Sequence, residues 1–311
     1  MKLAVLVLAH KLPQQLHWLV ALLQAPDVAI FVHVDAASQA ITPADLAQLA
    51  AQANVHCLAQ RRMVHWGNFQ QIQATWDLLR AAHAHGPFDR YVLVSGQDLP
   101  LMPPEAMLAF FQNEPDTQFL EYFQLPAPDR WSGAGGLDRL ELYWLDPPLD
   151  GLNRLLHGAQ RRLGWRRRLD GGVFHGGANW FNLTGPCVAW LLDYVAKNTR
   201  FFEQFRHSRC ADEIIVQTLV LRSPFAAQAV PEPLRFVNWT DGPEFPRTLR
   251  MADLPAILAA PRALFARKFD PAVDAEVGPA VVSAAWQRYR HHQDPPPVSA
   301  RAADSGCSSR S

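Results

Sequence analysis

Apolar positions along this chain alternate between two periods. Residues Lys2 to Ala9 form an almost continuous apolar run, and from Pro13 to Leu23 the apolar residues Leu16, Leu19, Val20 and Leu23 recur at helical spacing. A second run, Val28 to Val34, ends at Asp35, and Pro43 to Gln52 is again helical in composition. The cycle continues with a helix near Phe69 to His83, a strand at Tyr91 to Ser95 and a helix at Pro104 to Gln112. Strand and helix in alternation predict a mostly parallel sheet flanked by helices, an α/β architecture of Rossmann type. Beyond Phe119 the order loosens. A strand at Phe119 to Tyr122 precedes a loop rich in Pro, Gly and Asp, and then a basic segment runs from Leu152 to Arg168. A strand at Asn179 to Leu183 and helices at Pro186 to Lys197 and Asp212 to Leu221 restore the α/β texture. Without a composition break, residues 1–293 read as a single domain. Residues 294–311, with Pro295 to Pro297 and many Ser and Ala, carry too little apolar content to pack and are expected to be a disordered tail.

Composition narrows the classes. Hydrophobic residues make up 49% of the chain and the formal net charge is zero, which argues against a disordered chain and against an electrostatically driven nucleic-acid binder. The four cysteines, Cys57, Cys187, Cys210 and Cys307, form no CxxC pair, so reduced thiols are expected. The apolar run Leu3 to Ala9 is too short to cross a bilayer and lacks the features of a signal peptide, so a cytoplasmic location is expected. In Leu152 to Arg168, Leu155, Leu156, Leu163 and Trp165 interleave with six arginines. Such a segment suits peripheral contact with an anionic membrane, an acidic acceptor, or a plain solvated basic face.

Open α/β sheets bind ligands outside the carboxyl ends of their strands. His10 and Lys11, Asp35, and Gln97 with Asp98 occupy those positions, where they could contact a nucleotide or simply cap helices and turns. No GxGxxG fingerprint and no P-loop occurs, and no GxSxG elbow either. Asp212 and Glu213 open a predicted helix, where the unpaired N–H groups and the dipole favour an ionised carboxylate, either as a proton acceptor or only as an N-cap. Arg247, Arg267 and Lys268 stand among apolar residues, either as snorkelling cations or as a clamp for phosphate oxygens. Trp66, Trp180 and Trp239, each in a polar or Gly-containing context, could stack on a sugar or base or serve packing.

Taken in order, Leu8-Ala9-His10-Lys11, Val32-His33-Val34-Asp35, Val64-His65-Trp66-Gly67, Leu93 to Pro100, Phe119 to Tyr122, Ala178 to Phe181, Ala211-Asp212-Glu213, Val237-Asn238-Trp239 and Phe265 to Asp270 resemble glycosyltransferase family 14. That family holds the core-2 and I-branching β-1,6-N-acetylglucosaminyltransferases, the peptide O-xylosyltransferases and bacterial relatives. The resemblance implies a GT-A-like fold and an inverting transfer of a sugar, N-acetylglucosamine or xylose, from a UDP-sugar donor to a glycan, lipid-linked or protein acceptor, with surface glycans as an expected product. It implies no cofactor and no divalent metal, in keeping with a chain that contains no Asp-x-Asp. By the same resemblance Glu213 is the catalytic base and Arg247 and Lys268 bind the donor diphosphate. His10, Asp35, Asp98 and Trp239 fall to the donor nucleotide and sugar, and Glu121 and Trp180 to the acceptor. A non-catalytic nucleotide-sugar or carbohydrate-binding protein on the same fold is the alternative.

Overall fold

The computed structural model describes residues 1–145, 149–170, 172–240, 245–260 and 262–291, so the tail expected from residue 294 to 311 lies outside the described residues. The strands are β1 (Leu3–Ala9), β2 (Val28–Val34), β3 (Val55–Cys57), β4 (Arg90–Ser95), β5 (Leu99–Pro100), β6 (Gln118–Leu120), β7 (Phe123–Gln124), β8 (His175–Gly176), β9 (Phe181–Thr184), β10 (Ala229–Val230), β11 (Arg235–Val237) and β12 (Phe265–Arg267). The helices are α1 (Pro13–Leu22), α2 (Pro43–Ala50), α3 (Phe69–His85), α4 (Pro104–Gln112), α5 (Leu137–Glu141), α6 (Asp150–Arg162), α7 (Gly185–Lys197), α8 (Thr199–Glu203), α9 (Ile215–Arg222), α10 (Leu254–Leu258) and α11 (Val277–His291).

Seven strands form the central sheet in the order β10-β6-β9-β4-β1-β2-β3. Strands β1, β2, β3 and β4 run parallel, while β9 is antiparallel to both of its neighbours. The expected α/β, mostly parallel sheet is therefore what forms. The near-continuous apolar runs follow from burial on both faces. Along β1, Leu3, Val5 and Val7 enter a core that takes in Leu16 and Leu19 of α1 and Phe111 of α4, whereas Ala4 and Leu6 enter a core with Trp76 of α3, Leu191 of α7 and Leu219 of α9. A small sheet, β11-β12-β5, carries a third core under α10 and α11 around Leu99, Ile257, Phe269 and Val281.

Three expectations change in detail. The strand expected at Phe119 to Tyr122 is broken, with β6 ending at Leu120 and β7 starting at Phe123. At that break Gly177 lies so close against the Glu121 carbonyl oxygen that no side chain fits there. The strand expected at Asn179 to Leu183 starts two residues later, at Phe181. The helix expected from Asp212 is preceded by one 3-10 turn, Ala211–Glu213, because Ile214 leaves the helical region at φ −129 before α9 begins.

Candidate active site

The parallel strands β1, β2 and β4 end on one edge, and their last residues deliver His10 and Lys11, Asp35, and Gln97 and Asp98 to it. Strand β12 brings Arg267 and Lys268 to the same edge, because the Phe269 N–H donates to the Gln97 carbonyl (2.9 Å) and Gln97 Nε2 donates to the Phe269 carbonyl (3.2 Å). The Leu249 N–H donates to the Lys268 carbonyl (2.9 Å), which puts Arg247 two residues from a Lys268 contact. Arg247 itself rests against the Asp253 carboxylate at 3.6 Å, so part of its charge is already compensated. Asp35 accepts the Ala37 and Val64 N–H groups on Oδ1, at 2.8 and 3.2 Å. Trp239 is exposed at the end of β11.

Asp98 behaves differently from the expected donor contact. Its side chain is fully buried, pairs with Arg267 at 3.1 Å and accepts the Ser95 N–H at 3.2 Å. A carboxylate without exposed surface cannot reach a ligand, so its work is to hold Arg267. Arg235 lies close enough to share that charge; it donates to the Leu93 carbonyl, and burial pushes its pKa down to about 10. Trp180, expected on the acceptor side, lies under the Arg267 guanidinium with 3.9 Å between cation and ring centre. That contact ties it to the strand-end edge that carries Asp98 and Arg267.

Cations gather here in excess. Lys11 is occupied by Asp270 at 2.9 Å and Arg267 by Asp98, whereas Lys268 has no ion-pair partner among the described residues. Its pKa is lowered by burial first and then by the charges of Arg267 and Lys11, against a pull upward from Asp270. His10, exposed beside them, is likewise lowered by partial desolvation, by Lys11, Arg267 and Lys268, and raised by Asp35. A cluster with such an excess of positive charge favours an anion beside it.

Glu213 ends the 3-10 turn Ala211–Glu213. Its Oε2 accepts from Arg139 Nη1 at 2.6 Å, and the Arg139 guanidinium lies 3.8 Å above the Trp131 ring. Burial raises the Glu213 pKa, Arg139 pulls it back down, and Glu121 pushes it up. Glu121 is held by the Ala178 N–H at 3.1 Å and faces Arg130 at 3.8 Å. One short segment ties the two sides together. Gly177 donates its N–H to the Glu213 carbonyl (3.0 Å), and three residues further on Trp180 carries Arg267. Three residues of extended chain span about 10 Å at most. Among the described residues, no group of three or more His, Cys, Asp or Glu side chains is placed to hold a metal ion.

Arg139 and Arg235 were not legible as site residues, because their partners lie 74 positions away for Glu213 and 142 for the Leu93 carbonyl. Asp212 also differs from the N-cap reading. It is buried behind Glu213, accepts from Gln71 Nε2 at 2.7 Å and leaves Oδ1 without a partner. Burial, then the neighbouring Glu213 charge, pushes its pKa from 3.8 up to about 8. A carboxyl raised in the folded chain stabilises it fully below its unfolded pKa, and that contribution is lost as pH rises toward the folded value. Asp212→Asn should therefore flatten the fall in stability between about pH 4 and pH 8. Urea unfolding across that range should show the variant gaining stability relative to the parent as pH rises; an unchanged pH slope would reject a protonated Asp212.

The family model described as Core-2/I-Branching enzyme matches residues 3–258. The chain belongs to the Core-2/I-Branching enzyme family. The expected glycosyltransferase family is thereby met, although the match ends before β12 and Lys268. Among relatives of this Core-2/I-Branching member, xylosyltransferase 1 of Homo sapiens is 26% identical over 243 residues, covering 76% of this chain and 24% of its own. Xylosyltransferase 2 of Mus musculus is 26% identical over 220 residues, covering 67% of this chain and 23% of its own. The chain spans about a quarter of the length of these relatives. The apo structure of mouse xyloside xylosyltransferase 1 is 12% identical with a TM-score of 0.31, over 72% of this chain and 83% of that one.

Proposed function

We propose that this chain is a glycosyltransferase that moves a sugar from a UDP-sugar to an acceptor hydroxyl with inversion and without a divalent metal. The observation that carries this reading is Lys268, a lysine without an ion-pair partner among the described residues, beside Lys11, Arg267 and His10, with Arg267 joined through the Gly177 to Trp180 segment to the Glu213 carbonyl. A nucleoside diphosphate is the anion that such a cluster at strand ends would hold. Asp35, after the neighbouring strand β2, would bind the uridine.

The acceptor oxygen attacks the anomeric carbon from the face opposite the diphosphate. Its proton passes to Glu213, the bond from the anomeric carbon to the diphosphate oxygen breaks, and UDP departs with the electron pair. Arg139 occupies Oε2 of Glu213, so Oε1 is the oxygen offered to the acceptor. The same ion pair lowers the carboxylate's pKa against the pull of burial, which favours the ionised form a base needs. Negative charge grows on the leaving diphosphate, and Lys268 with Arg247 meets it with fixed positive charge that costs no reorganisation. Glu121, near enough to Glu213 to raise its pKa, would bind an acceptor sugar hydroxyl.

Xylose and N-acetylglucosamine are the sugars to test first, since the relatives named above are xylosyltransferases and the family is the branching one. Incubation with labelled UDP-xylose or UDP-N-acetylglucosamine in excess chelator should release UDP, and added acceptor should yield a product of inverted anomeric configuration by NMR. Loss of turnover in chelator would overturn the metal-free reading. Stoichiometric UDP-sugar binding with no product under any condition would replace the enzyme with a binding protein.

A further inference from the structure

Helix α6 packs on the protein through polar side chains and leaves an apolar row exposed. Asn153 and Gln160 are buried against the preceding backbone: the Leu145 N–H donates to Asn153 Oδ1 (2.8 Å), Asn153 Nδ2 donates to the Leu145 carbonyl (2.7 Å), and the Tyr143 N–H donates to Gln160 Oε1 (2.8 Å). At 3.6 residues per turn, Leu152, Leu155, Ala159 and Leu163 share a row about 100° round the helix from Asn153 and Gln160. There Leu155 is 74% exposed, Leu163 77% and Leu152 51%, and Trp165 follows at 52%. Nothing among the described residues covers this row.

Charge distinguishes the partner. Residues 151–168 contain six arginines and no Asp or Glu. Arg167 turns inward to the Leu140 carbonyl (3.1 Å) and the His207 carbonyl (2.7 Å), and Arg166 faces Glu141 at 3.8 Å. Arg154, Arg161, Arg162 and Arg168 are exposed and form no ion pair among the described residues. An acidic polysaccharide would use these arginines but not the leucines. A protein partner would need a shaped surface, whereas a row one residue wide offers little shape. A lipid surface uses both features, with leucines and an indole entering the boundary of headgroups and acyl chains while arginines snorkel to phosphates.

We propose that α6 and the chain up to Arg168 seat this protein on an anionic lipid bilayer, lying in the interface rather than crossing it. No helix of the described residues is long and apolar enough to cross a membrane. Arg167 anchors the seat firmly, since its N–H donates to the Glu141 carbonyl at 2.7 Å and Glu141 ends the helix that carries Arg139. The seat thus adjoins the helix that carries Arg139, the partner of Glu213.

Sedimentation of the full chain with phosphatidylcholine vesicles, with and without added phosphatidylglycerol, tests this. Binding should be at least about tenfold stronger to the anionic vesicles and should weaken with salt. The double variant Leu155→Gln with Leu163→Gln should lose about tenfold or more of that binding, and Arg161→Gln with Arg162→Gln should weaken it and flatten its salt dependence. Both variants change exposed positions, so melting temperature and UDP binding should stay at the parent value. Equal binding to both vesicle types, or leucine variants that bind as the parent does, would overturn the proposal. So would displacement by a soluble acidic polysaccharide with no effect of the leucine changes, which would mark an acidic-glycan site. A parent that is a dimer without vesicles and becomes monomeric in the leucine variant would overturn it in favour of self-association.

Discussion

Glu213→Gln should bind UDP-sugar as the parent does and turn it over about two to four orders of magnitude more slowly, the usual cost of losing a positioned base. Glutamine keeps the shape and still accepts a hydrogen bond from Arg139, which now stands at 2.6 Å from the carboxylate. What it cannot do is take a proton. The loss should fall on kcat, with little change in donor affinity by calorimetry. Near-parental turnover would remove Glu213 from the chemistry. The pH profile offers a second reading of the same group. Activity should fall on the acid side as Glu213 protonates, and Arg139→Met should move that limb to higher pH, because Arg139 is the neighbour that pulls the raised pKa down. An acid limb that stays in place would show that Arg139 does not tune the base.

Lys268→Met should cost about two to three orders of magnitude in kcat, the typical effect of removing one preorganised charge from a developing anion. Methionine retains most of the side-chain volume, so the deletion is one of charge. Donor affinity should fall less than kcat, since the charge on the diphosphate grows as the sugar departs. Relief of repulsion works in the opposite direction on stability. Without Lys268 the ligand-free cluster loses one of the like charges that hold its neighbours in tension, so the melting temperature should not drop. A variant with parental kcat would mean that the diphosphate sits elsewhere; a variant that has lost its fold would be separated from this case by the UDP-free melting curve. Lys268→Arg, which keeps the charge in a wider head, should recover part of the rate.

The two halves of the site differ in how far they can be read in advance. His10, Asp35 and Asp98 follow apolar runs directly, so the end of each strand announces them, and the rule that ligands lie beyond carboxyl ends supplies the rest. Even so, position did not reveal function for Asp98, whose burial makes it a counterion of Arg267. Glu213 was reached through resemblance, yet the helix that should have begun beside it starts two residues later, and its carboxylate is held by an arginine rather than by helix N–H groups. The basic segment before Arg168 showed its charge and its leucines plainly. Only the structure disclosed that Asn153 and Gln160 pack inward while Leu155 and Leu163 stay exposed.

Alternation of strand and helix, the double-sided burial of β1, β2 and β4, and the absence of phosphate-loop and dinucleotide fingerprints were all determined by the order of residues, because each depends on neighbours within a few positions. The reversed direction of β9, the inward turn of Gly177 against Glu121, and the pairings of Glu213 with Arg139 and of Asp98 with Arg267 were decided only by the tertiary structure. Such contacts join residues far apart in the chain, and no local pattern of hydrophobicity or spacing encodes which distant charge will meet which.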